Sequence, residues 1–240
     1  MIKNNVNNMQ TGYILIADIL GFSNIISNLD DKKLSERVEE WINLVRFLTA
    51  KHEIESYQLL SDTIFVAING TETEHLTKII EFGKTLLNES LKIDIPIKGA
   101  ITYGSFSWGE LIYGKPIIEA HNLEMNQNWI GITLNSGIPH AEECFNINTL
   151  VTYPTPMKKG VIKLYPVIVW DDYSFEDLSK MTVNRGLAME GEHLSWPWAE
   201  KIRNTAEFFL YLKFLKSQSL SCDKFYGLSP IQSIGTSVVK

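Results

Sequence analysis

The chain is short of cysteine, of long apolar runs and of positive charge, and each shortage excludes a class of protein. Its two cysteines, Cys144 and Cys222, match no zinc-ligand spacing and are expected to be free thiols in a reducing compartment. Nowhere do about 18 apolar residues follow one another, so no membrane span is expected. Lysine and arginine total 22 against 28 aspartate and glutamate, and the net charge of −6 argues against nucleic acid or an anionic membrane as a partner.

Further absences narrow the compartment and the chemistry. Residues 1–10 are polar and rich in asparagine, unlike a signal peptide, so a cytoplasmic protein is expected. The five histidines show no zinc-binding spacing, and no phosphate-binding P-loop motif occurs. A hydrophobic content of 45% is ordinary for a folded protein. We expect one domain over residues 1–240, with a core at about 11–150 and a C-terminal elaboration at about 151–240 packed on it.

Apolar periodicity predicts an alternation of strands and helices. An apolar run at residues 13–17 predicts a buried strand, and apolar positions spaced by three and four predict helices over about 34–48 and 76–91. Residues 57–68 predict a hairpin, and an aromatic-rich helix is predicted near the C-terminus over about 194–216. This order predicts an α/β protein of the α+β kind, a ferredoxin-like βαββαβ sandwich.

Two acidic residues stand at the edges of apolar strands. Asp18 ends the first strand, and Asp62 lies at the bend of the predicted hairpin. If these strands are neighbours, the two carboxylates lie side by side, and no basic residue is close to either in sequence. Such a pair suits divalent cations that carry a phosphate substrate. The alternative is structural, with Asp18 capping the following helix and Asp62 satisfying the turn.

A glycine follows Asp18 where the strand passes into a helix. Gly21, Phe22 and Ser23 occupy this junction, and backbone amides at a helix start bind phosphate well when a glycine permits close approach. Because glycine and serine are common at such junctions, this signal is weak by itself.

Four segments, in this order, resemble the motifs of class III nucleotidyl cyclases, the family of adenylate and guanylate cyclase catalytic domains. They are Ala17–Ser23 (ADILGFS), Leu59–Ala67 (LLSDTIFVA), Lys98–Gly104 (KGAITYG) and Tyr113–Glu124 (YGKPIIEAHNLE). The resemblance covers about residues 13–135 and implies a sandwich of the cyclase type.

The resemblance implies a two-metal mechanism. Asp18 and Asp62, with the backbone carbonyl of Ile19, would hold two Mg²⁺ or Mn²⁺ ions. The substrate's own 3′-hydroxyl would then attack its α-phosphate and release pyrophosphate. In this family the site forms between subunits, which implies a homodimer with two composite active sites.

Several positions depart from the purine cyclase pattern. Gln58 stands where a base-reading lysine or glutamate is usual, and Leu111 stands where its aspartate or cysteine partner is usual. Ile118 and Asn122 replace the asparagine and arginine that stabilise the transition state in the family. Leucine cannot hydrogen-bond to a base, so selection of a purine by the usual residues is not expected.

The departures are similar to those of the bacterial Pycsar pyrimidine cyclases. That similarity implies conversion of UTP or CTP to the cyclic nucleotide in antiphage defence, with a downstream effector that responds to the product. Tyr57 is the candidate residue for reading the base, and Gln58 is its rival. The two point to opposite faces of a strand; Gln58 shares the face of Asp62 by simple alternation, whereas a bulge could bring in Tyr57. An unusual adenylate cyclase and an inactive, nucleotide-binding regulator are the alternatives.

Several basic residues are available for the triphosphate. Lys115 is the strongest of them because it begins a predicted helix near the proposed site. Lys98, Arg46 and Lys158–Lys159 are further possibilities, although an isolated lysine is more often a solvated surface residue.

Overall fold

The computed structural model describes residues 9–184, 189–190, 193–194 and 196–217. The strands are β1 (Gln10–Ile19), β2 (Ser56–Leu60), β3 (Thr63–Asn69), β4 (Ile97–Ser107), β5 (Tyr113–Gly114), β6 (Gly131–Leu134), β7 (Leu150–Pro156), β8 (Ile162–Ile168), β9 (Met189–Glu190) and β10 (His193–Leu194). The helices are α1 (Phe22–Asn28), α2 (Asp31–Lys51), α3 (Thr73–Lys92), α4 (Lys115–Asn126), α5 (Ala141–Cys144), α6 (Phe175–Asn184) and α7 (Trp196–Ser217). Cys144 is a buried free thiol, whereas Cys222 lies outside the described residues.

The main sheet confirms the ferredoxin-like prediction. Its strand order is β2-β3-β1-β4-β6-β8-β7, and β5 pairs with the far end of β4. The four strands β2, β3, β1 and β4 are antiparallel to their neighbours and are joined by helices in the order βαββαβ. Beyond them, β6 runs parallel to β4, and the β7–β8 hairpin extends the same sheet.

The helix after β1 is interrupted, and its second part begins with a side-chain cap. Asp30 accepts a hydrogen bond of 2.9 Å from the backbone amide of Lys33, which satisfies a donor at the start of α2. Trp41, Val45 and Leu48 then follow at helical spacing and are buried against the sheet.

Strand β1 separates two apolar clusters, one on each face of the sheet. Tyr13 and Leu15 point into the large cluster, which is covered by α2 and α3. Ile14 and Ile16 point the other way, into a small cluster covered by α4. Side chains alternate along a strand, so Asp18 lies on the same face as α4.

The C-terminal helix α7 packs into the large cluster. Phe208 contacts Trp129 edge-to-face at a centroid distance of 5.2 Å, and Phe209 contacts Trp170 at 4.7 Å. Residues from both sides of position 150 therefore share one core. None of the described helices has both the length and the apolar character needed to cross a bilayer.

Candidate active site

The structure brings Asp18 and Asp62 together at one end of the sheet. Asp18 is paired directly with Thr63 across β1 and β3, and Asp62 is the residue before Thr63 in the hairpin turn. The turn is tight: Ser61 has a left-handed φ of 58°, a conformation that glycine adopts more readily. The predicted hairpin therefore holds Asp62 beside the end of β1.

The electrostatics of Asp18 reflect this proximity. Burial, and then the negative charge of Asp62, raise the pKa of the Asp18 carboxyl from 3.8 to about 6. Lys98 and the Thr63 hydroxyl, which donates a 3.1 Å hydrogen bond to Asp18 Oδ1, act in the opposite direction. Two carboxylates that destabilise each other's charge in this way are stabilised by a bound cation.

A basic residue that is distant in sequence lies close to Asp18 in the structure. Lys98 on β4 pairs directly with Asp18 across the sheet, and its ammonium lies 3.8 Å from Asp18 Oδ2. The same ammonium contacts the buried carboxylate of Glu124 and donates a 3.2 Å hydrogen bond to the Glu124 carbonyl. Glu124 is the nearer partner, so the positive charge of Lys98 is shared between Glu124 and Asp18.

The residues present fit a divalent cation bound together with a substrate. Among the described residues, no group of three or more His, Cys, Asp or Glu side chains forms a metal site. Asp18 and Asp62 supply carboxylate oxygens, and Ile19 ends β1 next to Asp18, where its carbonyl would be the third ligand. Mg²⁺ is commonly held by one or two carboxylates together with phosphate oxygens and water, so two carboxylates are enough for a site that binds the metal with its substrate.

The strand-to-helix junction lies immediately beyond Asp18. Gly21 precedes α1 with a φ of 79°, a conformation that favours glycine. Phe22 packs against the large apolar cluster, and Ser23 is exposed. The indole of Trp198 in α7 packs so closely on Gly21 that a Cβ there would lie 2.5 Å from a ring carbon.

Of the two residues predicted to read the base, Gln58 lies on the face that carries Asp18. The register of β2 against β3 is continuous, with Gln58 opposite Phe65 and no bulge between them. Tyr57 points to the opposite face, where it packs against the large cluster. The prediction that a bulge turns Tyr57 toward Asp62 to read the base is therefore wrong.

Gln58 also contacts the loop that carries the second predicted base-reading position. Its side-chain amide donates a 3.1 Å hydrogen bond to the carbonyl of Gly109. Leu111 follows in that loop with 64% of its surface exposed. The structure thus brings Gln58 and Leu111 to one region, two strands and about 10 Å from β1.

Solved nucleotidyl cyclase domains share this architecture. A bacterial light-regulated adenylyl cyclase superposes with a TM-score of 0.57 at 14% identity, over 75% of this chain and 58% of its own. The adenylyl cyclase CyaB from P. aeruginosa gives a TM-score of 0.51 at 14% identity, over 69% and 96% of the two chains. The guanylate cyclase domain of RhGC from Catenaria anguillulae, in complex with GTP, gives 0.54 at 13%, over 68% and 98%. The chain has the fold of a nucleotidyl cyclase catalytic domain.

The similarity is one of structure and not of close sequence. No protein-family model and no curated protein matches the chain. The chain also spans little more than half of the light-regulated enzyme with which it superposes.

Within one subunit of the cyclase fold, Lys115 is far from the carboxylates, and its predicted position near them is wrong. Gly114, which precedes Lys115, pairs with Phe106, whereas Asp18 pairs with Lys98 at the other end of β4. Eight residues of strand separate these pairs, a distance of about 26 Å. The Lys115 side chain is 85% exposed, with its ammonium 3.4 Å from Glu119.

Asn122 lines a basic cavity on the outer side of α4. The cavity has a volume of about 430 Å³ and is also lined by Lys158, Lys159 and Lys163 of the β7–β8 hairpin. Arg46, by contrast, is exposed on α2, which covers the opposite face of the sheet. Apart from Lys115, the basic residues predicted to bind the triphosphate were Lys98, Arg46 and the Lys158–Lys159 pair. Of these, Lys98 and the Lys158–Lys159 pair lie on the side of the sheet that carries α4.

Glu124 is the residue that sequence reasoning did not assign to the site. Pro116, Ala120 and Glu124 follow one another at intervals of four and are the buried positions of α4. An acidic residue on the buried stripe of an amphipathic helix needs a buried partner. This position in the stripe was the sequence signal that could have identified Glu124. The identity of that partner, Lys98, depends on the packing of α4 across β4.

Proposed function

We propose that the protein is a pyrimidine nucleotidyl cyclase that converts UTP or CTP to the 3′,5′-cyclic nucleotide and pyrophosphate. The meeting of Asp18 and Asp62 at the end of β1, in a cyclase fold, is the observation that carries this proposal. Asp18 lies on the sheet face that carries α4 and keeps 25% of its side chain exposed, which would allow a triphosphate to reach it.

Asp18 and Asp62, with the carbonyl of Ile19, would hold two Mg²⁺ or Mn²⁺ ions. When bound, such ions neutralise phosphate charge and make the 3′-hydroxyl a better nucleophile toward the α-phosphate. Thr63 and Lys98 orient Asp18 from the strands on either side. The amides around Gly21, Phe22 and Ser23 would bind phosphate oxygens beside the same carboxylates.

Gln58 is the proposed base-reading residue. Its amide offers both a donor and an acceptor, and it can therefore pair with the hydrogen-bonding edge of uracil or cytosine. Leu111 adds apolar surface and no hydrogen bond, which disfavours the polar recognition of a purine edge.

A head-to-tail homodimer would complete the site. Large apolar side chains are exposed on the surface that carries Asp18 and α4: Leu60 is 69% exposed, and Ile118 and Leu111 are 64% exposed. Such a surface is typical of a protein interface. The partner subunit would then bring Lys115 toward the carboxylates, so that this lysine supplies the charge of the missing arginine.

The biological role follows from the same resemblance. The segments at Ser61–Asp62 and Lys98–Gly104 support a signalling enzyme of antiphage defence, whose cyclic product is bound by a downstream effector. An inactive regulator is the second candidate, favoured by Ile118 and Asn122 at the two transition-state positions.

Separate incubations with ATP, GTP, CTP and UTP in the presence of Mn²⁺, followed by mass spectrometry, test the proposal. We expect cyclic UMP or cyclic CMP, lost in Asp62→Ala and retained in the control Asp31→Ala, which removes an exposed carboxylate from α2. Cyclic AMP alone would indicate an unusual adenylate cyclase. Absence of any product, with nucleotide still bound, would indicate the regulator.

A further inference from the structure

The first turns of α7 are fixed beside the end of the sheet that carries Asp18. Glu200 Oε2 accepts a 2.7 Å hydrogen bond from the Asn128 amide, and the Asn204 amide donates one of 2.7 Å to the Asn128 carbonyl. The Thr205 hydroxyl accepts a 2.9 Å hydrogen bond from the backbone amide of Ile130. The next residue, Gly131, pairs with Lys98 on β4, so these bonds place α7 beside β6, two strands and about 10 Å from Asp18 on β1.

Trp198 carries this placement to the loop that follows Asp18. Its side chain is 5% exposed and lies against Gly21, the residue before α1. The ammonium of Lys201, one turn further along α7, lies 5.7 Å from the centroid of the Trp198 ring. The Trp198 ring thus lies between the Lys201 ammonium and Gly21 at the strand-to-helix junction.

Lys201 has no carboxylate partner among the residues that the structure describes. Its ammonium donates a 3.2 Å hydrogen bond to the Pro197 carbonyl within its own helix. The adjacent Glu200 is engaged by Asn128 and lies 3.8 Å from Arg203. The charge of Glu200 favours the protonated form of Lys201, but burial outweighs it and lowers the pKa, because burial removes the water that stabilises the ammonium.

A second lysine makes the charge around Lys201 more positive. Burial, and then the charge of Lys158 in the β7–β8 hairpin, lower the pKa of Lys201. A polyvalent anion bound at Lys201 would relieve the repulsion between these two ammonium groups.

We propose that Lys201 of α7 binds the polyphosphate part of the nucleotide, so that the C-terminal helix is part of the active site of its own subunit. This inference rests on the proposed function for the identity of the ligand. Trp198 is a positioning residue that keeps the ammonium next to Gly21. Helix α7 lies outside the four cyclase-like motifs. The proposed anion site therefore combines the junction at Gly21 with a residue about 180 positions later in the chain.

Binding of inorganic tripolyphosphate in the presence of Mn²⁺, measured by calorimetry, tests the role of Lys201 without any turnover. We expect Lys201→Ala to weaken binding about tenfold, and Lys201→Arg to remain within about threefold of the wild type, because arginine also binds phosphate. The control is Lys213→Ala on the same helix, which removes an exposed lysine paired with Asp172 and should change nothing. Circular dichroism checks that every variant is folded.

Unchanged tripolyphosphate binding in folded Lys201→Ala, or no binding by the wild type, would overturn the inference. Steady-state kinetics separate it from the proposed function. If the protein is a cyclase and Lys201→Ala leaves its KM unchanged, the proposed function stands and the inference about Lys201 is wrong. If tripolyphosphate binding depends on Lys201 but no cyclic product forms, the anion site stands and the proposed cyclase activity is wrong. A rise in KM of about tenfold, with little change in kcat, supports both.

Discussion

The two faces of the sheet differ in what they carry where β1 ends. Toward α2 and α3, Leu15 and Ala17 are fully buried among apolar neighbours. Toward α4, Ile16 is also fully buried, but the next residue on that face is Asp18, whose side chain is 25% exposed. One strand thus contributes to a closed core on one side and to a polar site on the other.

This division separates the residues that stabilise the fold from those that bind. The face toward α2 and α3 carries the large apolar cluster, to which residues of α7 also belong. The face toward α4 has only a small apolar cluster and tolerates the buried pair of Lys98 and Glu124 beside Asp18. Substitutions on the two faces should therefore have different consequences.

The largest expected effect comes from Asp18→Asn. Loss of a carboxylate ligand should lower the cyclase turnover by roughly a thousandfold or more, because charge stabilisation is the main catalytic contribution in such sites. The fold should remain intact, since asparagine still accepts the hydrogen bond of Thr63. Product formation with Mn²⁺, together with thermal unfolding, measures both properties.

Leu15→Ala is the matched variant on the opposite face of β1. It should cost about 2–5 kcal/mol of unfolding free energy and leave the activity of the folded fraction nearly unchanged. If Asp18→Asn unfolds the protein, or if Leu15→Ala abolishes activity while folded, the division between the faces is wrong.

Breaking the buried ion pair is the next largest effect. Lys98→Met leaves the Glu124 carboxylate buried without its cation, which should destabilise the protein by about 3–5 kcal/mol in urea unfolding. The double variant Lys98→Met with Glu124→Leu should recover most of that loss, because no unpaired charge remains.

An exposed pair on α2 supplies the comparison. Lys32 and Glu36 lie 4.0 Å apart with 87% and 61% of their side chains exposed. Lys32→Met should change the free energy of unfolding by less than about 1 kcal/mol. Equal losses in Lys98→Met and in the double variant would show that the buried pair is not coupled.

The pH dependence of stability gives a smaller, signed effect. The pKa of Asp18 is raised to about 6 in the folded protein from its ordinary value of 3.8. Between these values the folded state binds more protons than the unfolded state, so the free energy of unfolding falls as pH rises through this window. Asp18→Asn removes this contribution.

In metal-free buffer, Asp18→Asn should therefore be more stable than the wild type by about 1–3 kcal/mol at pH 7.5, since one pKa unit corresponds to about 1.4 kcal/mol. The difference should disappear near pH 4. Urea unfolding at several pH values measures it. A difference that is constant with pH would contradict the raised pKa of Asp18.

Local patterns predicted the parts of the site that lie close in sequence. The apolar run before Asp18 and the hairpin at Ser61 and Asp62 fix one strand end and one turn, and neighbouring strands then bring the carboxylates together. The Asp30 cap and the apolar stripe of α2 were likewise readable, because helix starts and helical spacing are local signals.

Long-range pairing could not be read in the same way. Lys98 pairs with Asp18 through the register of β1 against β4, which no local pattern specifies. Lys115 begins a helix as predicted, but a helix start has the same sequence signal at either end of a sheet. The C-terminal helix was predicted as well, yet its docking through Asn128 places Trp198 and Lys201 at the site only in three dimensions.

The smallest expected effect is on base selection. It is tested by comparing Gln58 and Tyr57, two adjacent residues that point to opposite faces of the sheet. Gln58→Ala should change the ratio of kcat/KM between UTP and CTP, or between pyrimidine and purine triphosphates, by about fivefold to tenfold, as for loss of one hydrogen bond to the base. Tyr57→Phe should leave these ratios unchanged, since Tyr57 packs on the large apolar cluster and not toward Asp18. Competition assays with pairs of triphosphates give the ratios directly. A shift of base preference in Tyr57→Phe but not in Gln58→Ala would mean that the hairpin changes register when nucleotide binds.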